Sequence, residues 1–155
     1  MDNNRKFVST SDDKKVFLWE YGIPIVVKHI SDPDMQAISS TDAHPNGKYF
    51  IGQCSDNKIM CFDVKNQTVR INKKKRFQGN LTSGYSVGLK ISPDGQFVAS
   101  GDHDGRVFFY DWKSSKVYSV LHAHDNVCVG IDWHPNEPST LATSSWDGLV
   151  KIWSS

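Results

Sequence analysis

One short pattern occurs four times in this chain of 155 residues and limits what it can fold into. In each copy, an aspartate is followed three positions later by valine or isoleucine and six positions later by an aromatic residue. The aspartate and aromatic pairs are Asp13 and Trp19, Asp56 and Phe62, Asp104 and Tyr110, and Asp147 and Trp153. Successive aromatic residues lie 43, 48 and 43 positions apart. A period of about 40–45 residues is typical of a β-propeller, whose blades have four strands each.

The segments between these copies carry the signals of short strands. Runs rich in Val, Ile, Phe and Trp alternate with turn residues, and no segment sustains a helical period of 3.6. Prolines mark three equivalent turns, at Pro45, Pro93 and Pro135. Proline presets its own φ, so these positions favour turns. In the most complete unit, strands are predicted over 127–133, 140–144 and 149–153.

The repeat predicts an all-β fold, a WD40-type propeller fragment with two complete four-stranded blades flanked by two partial blades. The blade units fall at about residues 1–34, 35–78, 79–122 and 123–155. The first unit lacks an inner strand and the last lacks an outer strand. Because propellers hold about 4–8 blades, we expect about three more blades upstream and a true C-terminus near Ser155. Open strand edges are pairing templates, so we expect this chain to self-associate.

Composition excludes several classes of function. The net charge of +1 gives no overall basic field for nucleic acid. No apolar run approaches the ~20 residues of a membrane helix, and the first residues do not form a secretory signal. Cys54, Cys61 and Cys128 lack metal-ligand spacing and are predicted to be reduced, buried thiols. His122, His124 and His134 lack the further ligands that zinc requires, so we predict neither metal nor cofactor.

One group of residues in the last unit looks catalytic. His124, Thr143 or Ser145, and Asp147 are the residue types of a hydrolytic triad. No nucleophile elbow is visible nearby, and the third unit has Asn80 in place of the histidine. A packing role tolerates such variation between repeats, whereas a catalytic role does not. We therefore predict no enzymatic activity and no catalytic residue.

The chain contains one dense charge run, Lys73-Lys74-Lys75-Arg76, in its longest unit. Three interpretations remain open: a solvated outer edge protected by lysines, contact with RNA phosphates, and a nuclear-import signal. The loop that follows holds Tyr85. Loops on rigid scaffolds bind partners, so Tyr85 is either a partner contact or a cap on the core.

Several longer sequence motifs resemble those of a known protein family. They are 10–14 (Thr-Ser-Asp-Asp-Lys), 71–75 (Ile-Asn-Lys-Lys-Lys), 110–113 (Tyr-Asp-Trp-Lys), 123–128 (Ala-His-Asp-Asn-Val-Cys) and 146–153 (Trp-Asp-Gly-Leu-Val-Lys-Ile-Trp). With these words the chain resembles the WD-repeat family and, within it, a group of pre-mRNA splicing factors that act in the second step. Trp-Asp-Gly is common to all WD repeats, whereas the Asn-Lys-Lys-Lys and Asp-Trp-Lys motifs are more specific to this group of splicing factors. The departure is Asn80, where the family has histidine.

The resemblance implies both a structure and a function. In WD repeats the histidine, the strand hydroxyl, the turn aspartate and the aromatic residue form a buried network, which His124, Thr143, Asp147 and Trp153 would form here. The implied function is that of a nuclear, non-enzymatic scaffold of the spliceosome. It would act at exon ligation and bind splicing proteins, with RNA contact through the lysine run left open. The alternative is an adaptor of another complex, such as a ubiquitin-ligase substrate receptor.

Overall fold

A computed structural model describes residues 5–155, and strands are the only regular secondary structure in that range. The first sheet contains β1 (Lys6–Thr10), β2 (Val16–Glu20) and β3 (Val26–Ile30). The second contains β4 (Ile38–Ala43), β5 (Tyr49–Cys54), β6 (Lys58–Lys65) and β7 (Thr68–Gln78). The third contains β8 (Leu89–Ile91), β9 (Phe97–Gly101), β10 (Arg106–Asp111) and β11 (Val117–His122). The fourth contains β12 (Cys128–Trp133), β13 (Leu141–Ser145) and β14 (Val150–Trp153).

Each sheet is an antiparallel meander in which strands that follow one another in the chain are paired. Two four-stranded sheets are flanked by two three-stranded ones, so the predicted all-β propeller architecture is confirmed. Between sheets, the first strands β4, β8 and β12 approach one another. These strands therefore line the inner side of the array. No helix that could cross a membrane occurs among the residues described.

The cores lie between the sheets, because each strand sends alternate side chains to opposite faces. In β6, Met60 and Phe62 join the cluster shared with the first sheet, whereas Ile59 and Cys61 join the cluster shared with the third. A further cluster fills the space between the third and fourth sheets. Each internal sheet is thus buried on both faces.

The turn after the repeated aspartate has the same backbone conformation in all four sheets. The following residue has a positive φ each time: 61° at Lys14, 67° at Asn57, 81° at Gly105 and 84° at Gly148. Only glycine adopts this region without strain, and asparagine tolerates it better than other residues. The geometry explains the Asp-Gly dipeptides of the last two copies and leaves Lys14 strained.

Candidate functional site: blade networks and an interaction surface

The fourth sheet contains a hydrogen-bonded chain of four side chains. Trp153 Nε1 donates to Thr143 Oγ1 at 2.9 Å, and Thr143 Oγ1 lies 2.8 Å from His124 Nε2. His124 Nδ1 lies 2.8 Å from Asp147 Oδ2. Asp147 also accepts the Leu149 amide at 2.9 Å, which fixes the turn. The structure therefore brings together the four residues that the sequence singled out in this unit.

The four side chains satisfy one another's hydrogen-bonding groups. The Thr143 hydroxyl accepts a hydrogen bond from the Trp153 indole N–H, so we assign the hydroxyl's own hydrogen to a bond with His124 Nε2. The Nδ1–H of His124 then donates to Asp147. With this assignment, every polar hydrogen of the four side chains in the network has an acceptor. Burial raises the pKa of Asp147, but hydrogen bonds from Leu149 and His124 outweigh it and hold the pKa below the ordinary 3.8. Thr143 is only 2% exposed, so its hydroxyl is engaged within the network rather than presented to solvent.

The third sheet replaces this chain with a network that crosses to its neighbour. Asn80 takes the histidine position, and its amide donates to Ser100 Oγ and Gln53 Oε1, both at 3.0 Å. Tyr110 donates its hydroxyl to Asn80 Oδ1 at 3.1 Å and accepts the Asn80 backbone amide at 3.2 Å. Because Gln53 belongs to β5, the network joins the second and third sheets.

The turn aspartate of the third sheet is not the one that the repeat predicted. Asp104 is largely exposed, and its carboxylate reaches Arg106 only at 3.5 Å. Asp102, two positions earlier, is fully buried and accepts the Nε and Nη2 of Arg106, both at 2.7 Å. It also accepts the amides of Asp104 and Arg106. The sequence analysis did not single out Asp102. The signal that could have indicated it is an aspartate four positions before an arginine, across a tight turn.

The first two sheets keep less of the pattern. In the first, Trp19 Nε1 donates to Ser9 Oγ at 2.8 Å, which matches Trp153 and Thr143 in the fourth. Asp13 is exposed, and within residues 5–155 its carboxylate accepts only the Lys15 amide. In the second, Phe62 is fully buried and stacks on Phe50 with ring centres 4.5 Å apart.

Asp56 of the second sheet also departs from a network role. Its Oδ2 pairs with Lys58 at 2.8 Å, and its Oδ1 is buried without a hydrogen-bond partner among the residues described. The structure thus brings Asp147 into a buried network but leaves Asp13, Asp56 and Asp104 in local turn contacts. Apolar packing takes over where the polar network is absent.

The three cysteines are free and buried. Burial raises the pKa of Cys54 to about 11 and those of Cys61 and Cys128 to about 12. Such thiols are unreactive at neutral pH, because the thiolate is the nucleophile. In residues 5–155, the one group of three side chains spaced to ligate a metal is Asp102, His103 and Asp104. Both carboxylate oxygens of Asp102 in this group already accept hydrogen bonds, from the Arg106 side chain and from the amides of Asp104 and Arg106.

The lysine run forms a bulge on the outermost strand of the second sheet. Cys61 pairs with Asn72 and Met60 pairs with Arg76, so residues 73–75 lie outside the ladder. The Asn72 side chain holds the bulge by accepting the amides of Lys74 and Lys75. The extra residues of the longest unit are accommodated here.

The cations of the bulge point in different directions. Lys73 pairs with Asp32 at 2.9 Å and lowers the pKa of that carboxyl. Lys75 donates to the Trp112 carbonyl and lies 4.8 Å from the centre of its ring. Arg76 has a buried Nε with no hydrogen-bond partner in the described range. Among residues 5–155 Lys74 alone of the three lysines makes no side-chain ion pair or hydrogen bond, so it is the one available to a ligand.

Trp112 is a point of contact between the second and third sheets that the sequence reading did not assign. The His44 ring lies 4.3 Å from it and also bonds Gly95 O at 3.0 Å through Nε2. His44 lies in the turn after β4, and Gly95 lies in the equivalent turn of the third sheet. Trp112, the central residue of the Asp-Trp-Lys motif, therefore has a packing role.

Tyr85 lies in an aromatic contact at the surface. Its ring meets that of Trp146 edge-on, with centres 5.2 Å apart, and both side chains are exposed. Trp146 belongs to the turn between β13 and β14, so the contact joins the loop before β8 to the fourth sheet. A pair of exposed aromatic residues on a rigid scaffold is a surface suited to binding a protein partner.

The sheets stack face to face, their inner strands lie on one side, and the fourth sheet holds a Trp–Thr–His–Asp network. These features define a repeat protein of the propeller class. The model of the WD domain, G-beta repeat, matches residues 72–111 and 115–154, about half of the chain. The chain therefore belongs to the WD-repeat family. Each match begins in or just before the outer strand of one sheet and ends at the third strand of the next.

Similarity to particular proteins extends over almost the whole chain. The chain is 46% identical over 153 residues to Pre-mRNA-processing factor 17 of Homo sapiens, covering 99% of this chain and 26% of the human protein. It is 35% identical over 148 residues to the Saccharomyces cerevisiae protein of that name, covering 95% and 32%. It is 27% identical over 160 residues to WD repeat-containing protein 25 of Mus musculus, covering 99% and 30%. The chain thus spans about a quarter to a third of the length of these curated relatives.

Proposed function

We propose that this chain is a nuclear, non-enzymatic scaffold that binds other proteins of the spliceosome during pre-mRNA splicing, at the second step. Each of its four sheets serves as one blade, with blade boundaries near residues 34, 78 and 122. The observation that carries the proposal is the 46% identity to human Pre-mRNA-processing factor 17 along 99% of this chain.

Binding rather than chemistry is the activity that the geometry supports. The buried polar groups of the third and fourth sheets serve one another, as the His124–Thr143 and Asn80–Tyr110 bonds show. The groups that face solvent include the aromatic side chains of Tyr85 and Trp146 and the cation of Lys74, which lie on loops and an outer strand. Rigid sheets that present such groups are suited to holding partners in a fixed geometry.

An RNA contact at the bulge of residues 73–75 is the second part of the proposal. Lys74 projects from an outer strand, and the Asn72 side chain accepts its backbone amide, so the strand holds it in place. A lysine held in this way can neutralise one phosphate. Lys73 and Lys75 are already engaged by Asp32 and Trp112, so a single contact is expected where the run of charges suggested four.

Capture of splicing intermediates tests the main proposal. The tagged chain is recovered from nuclear extract during a splicing reaction, and the bound RNA is analysed. We expect enrichment of the lariat–exon intermediate over unspliced pre-mRNA. Equal enrichment of both RNAs would contradict action at the second step. Recovery of ubiquitin-ligase subunits without splicing RNA would favour the alternative adaptor role.

The RNA contact has a separate test. Lys74→Gln should lower affinity for single-stranded RNA and reduce the slope of log K against log salt by about 0.7, the value for one phosphate contact. Lys48→Gln, at another exposed lysine, is the matched control and should change neither. Equal effects of the two substitutions would assign the binding to general charge rather than to the bulge.

A further inference from the structure

The loop that precedes the third sheet, residues 79–88, is fixed to the turns of three sheets. In the β5–β6 turn, the Asn57 side chain accepts the Thr82 amide at 2.7 Å. In the β9–β10 turn, the amide of His103 donates to the Leu81 carbonyl at 2.9 Å. The aromatic contact with the β13–β14 turn is the third link. The loop is therefore held in one conformation before any partner arrives.

Three large apolar side chains face solvent at this loop: Leu81 is 47% exposed, Tyr85 41% and Trp146 60%. We call these three residues the loop surface. Leu81 and Tyr85 belong to the loop of the third sheet, which has another sheet packed on each of its faces. Their exposure is therefore independent of where the chain begins and ends. An edge-on contact with Tyr85 leaves at least one face of the Trp146 ring uncovered.

The chain around the loop surface is acidic. Backbone hydrogen bonds bring together four segments, 79–88, 102–106, 123–127 and 145–149. These segments contain four aspartates and one arginine, which gives a net charge of −3 with neutral histidine, whereas the whole chain carries +1. A surface of this sign attracts cations and repels the phosphates of nucleic acid.

The arginine of this region is already engaged, but part of the negative charge is not. Arg106 donates to Asp102 at 2.7 Å and lies 3.5 Å from Asp104. Asp125 is exposed, and its carboxylate makes no ion pair or hydrogen bond among residues 5–155. The Asp125 amide donates to the carboxylate of Asp147, the residue that follows Trp146 in the chain. A free carboxylate thus lies close to an exposed indole ring.

We propose that the loop surface binds a segment of a partner protein in which an arginine adjoins an aliphatic residue. The guanidinium stacks on the open face of Trp146 and pairs with Asp125, because its planar fork suits both a ring and a carboxylate. The aliphatic side chain covers Leu81 and Tyr85. This inference rests on the proposed binding role and names the chemistry of the partner.

Selection from a library of short random peptides tests this chemistry. The full chain is immobilised as bait, and peptides that also bind Trp146→Ala are removed. We expect the remaining peptides to carry a net positive charge and an arginine beside leucine, isoleucine or valine. Recovery of peptides without arginine, or of no peptide that distinguishes the two chains, would overturn the inference.

The affinity of one selected peptide, measured by fluorescence anisotropy, locates the site. Trp146→Ala should weaken binding at least about fivefold, as the loss of an aromatic anchor does. Asp125→Asn should reduce the dependence of affinity on salt, because an ion pair is lost. The matched controls are Tyr118→Ala, at an exposed ring of β11, and Asp12→Asn, at an exposed aspartate in the turn of the first sheet. Equal effects of variants and controls would overturn the inference.

Two further comparisons keep the outcome unambiguous. The urea midpoints of all four variants should match that of the original chain, because each substitution is at an exposed side chain. Loss of peptide binding together with continued capture of the lariat–exon intermediate would overturn the role of the loop surface alone. Peptide binding as expected, with equal capture of both RNAs, would overturn the second-step role alone.

Discussion

Two glycines in equivalent turns differ in what surrounds them. Gly105 and Gly148 both have positive φ near 80°. A Cβ on Gly105 would lie 2.5 Å from the carbonyl oxygen of Asn126 and closer still to that of His124, whereas a Cβ on Gly148 would meet nothing within 4 Å. The tight turn of the third sheet therefore depends on glycine for space as well as for φ.

This difference predicts unequal effects of the same substitution. Gly148→Ala should lower the free energy of unfolding by about 1 kcal/mol, because alanine is strained at this φ. Gly105→Ala should cost about 1–3 kcal/mol more, because the backbone of the next sheet must move. Urea denaturation of both variants measures the two values. Equal losses would show that the approach of His124 and Asn126 to Gly105 does not constrain the fold.

The carboxyl of Asp147 predicts a pH dependence of stability. Its folded-state pKa lies below the ordinary 3.8, so its contribution is complete well above that pH and disappears as the pH falls through the folded-state value. We expect the original chain to lose stability from about pH 5 to about pH 3. Asp147→Asn should be less stable at pH 7 and lose less over this interval.

The control for this pH experiment is Asp12→Asn, at an exposed aspartate outside any buried network. Its loss of stability from pH 5 to pH 3 should match that of the original chain, measured by the urea midpoint at each pH. If Asp147→Asn shows the same loss as Asp12→Asn, the carboxylate does not stabilise the turn through its hydrogen bonds.

The Tyr110 hydroxyl predicts a further effect on stability. It serves Asn80 as both donor and acceptor inside a fully buried network. Tyr110→Phe leaves two polar groups of Asn80 without this partner and should cost about 1–3 kcal/mol. Tyr118→Phe removes a hydroxyl from an exposed ring and should change stability by less than about 0.5 kcal/mol. Similar melting temperatures for the two variants would contradict a network role for Tyr110.

Among the elements, the outer strand β7 shows how a sequence motif divides into separate roles. Lys75 packs on Trp112 of the third sheet, while its neighbour Lys74 faces solvent. Lys75→Ala should lower the free energy of unfolding by about 0.5–1 kcal/mol, because a cation–π contact of that size is lost. Lys74→Ala should stay within about 0.5 kcal/mol of the original chain. A reversed order would show that the lysine run is an undivided charged surface.

The strands and their order could be predicted from the sequence because the repeat combines a period of two with fixed turn chemistry. The strand bounds differ by a residue at the ends: β12 begins at Cys128 and β14 at Val150, one position later than predicted in each case. The network of the fourth sheet was also predicted, because the resemblance to WD repeats implied it for His124, Thr143, Asp147 and Trp153.

The network of the third sheet could not be read in the same way. Asp102 rather than Asp104 is the buried turn aspartate because Arg106 binds the Asp102 carboxylate, and the spacing of the repeat does not predict this choice. The role of Gln53 depends on a neighbouring sheet, which spacing within one repeat does not describe. Likewise, Lys73 and Lys75 point in different directions because they lie in a bulge. The bulge is visible only in the pairing of β7 with Met60 and Cys61 of β6.

For the whole molecule, the main physical feature is that central strands of the two internal sheets, such as β6, supply two cores. Residues adjacent in the chain, such as Cys61 and Phe62, belong to different clusters, whereas Leu18 and Phe62, remote in the chain, belong to one. Stability is therefore transmitted from sheet to neighbouring sheet, as in other repeat proteins. A scaffold built in this way keeps its surface loops in a fixed arrangement.

The most direct test is a pair of double-mutant cycles measured by urea unfolding. Leu18→Ala and Phe62→Leu lie on facing sheets within one cluster, so their effects on the free energy of unfolding should couple by at least about 0.5 kcal/mol. Leu18→Ala and Ile59→Val lie in separate clusters and should add within about 0.5 kcal/mol. Additive effects in the first cycle, or coupling of equal size in both, would contradict an array of stacked blades with distinct cores.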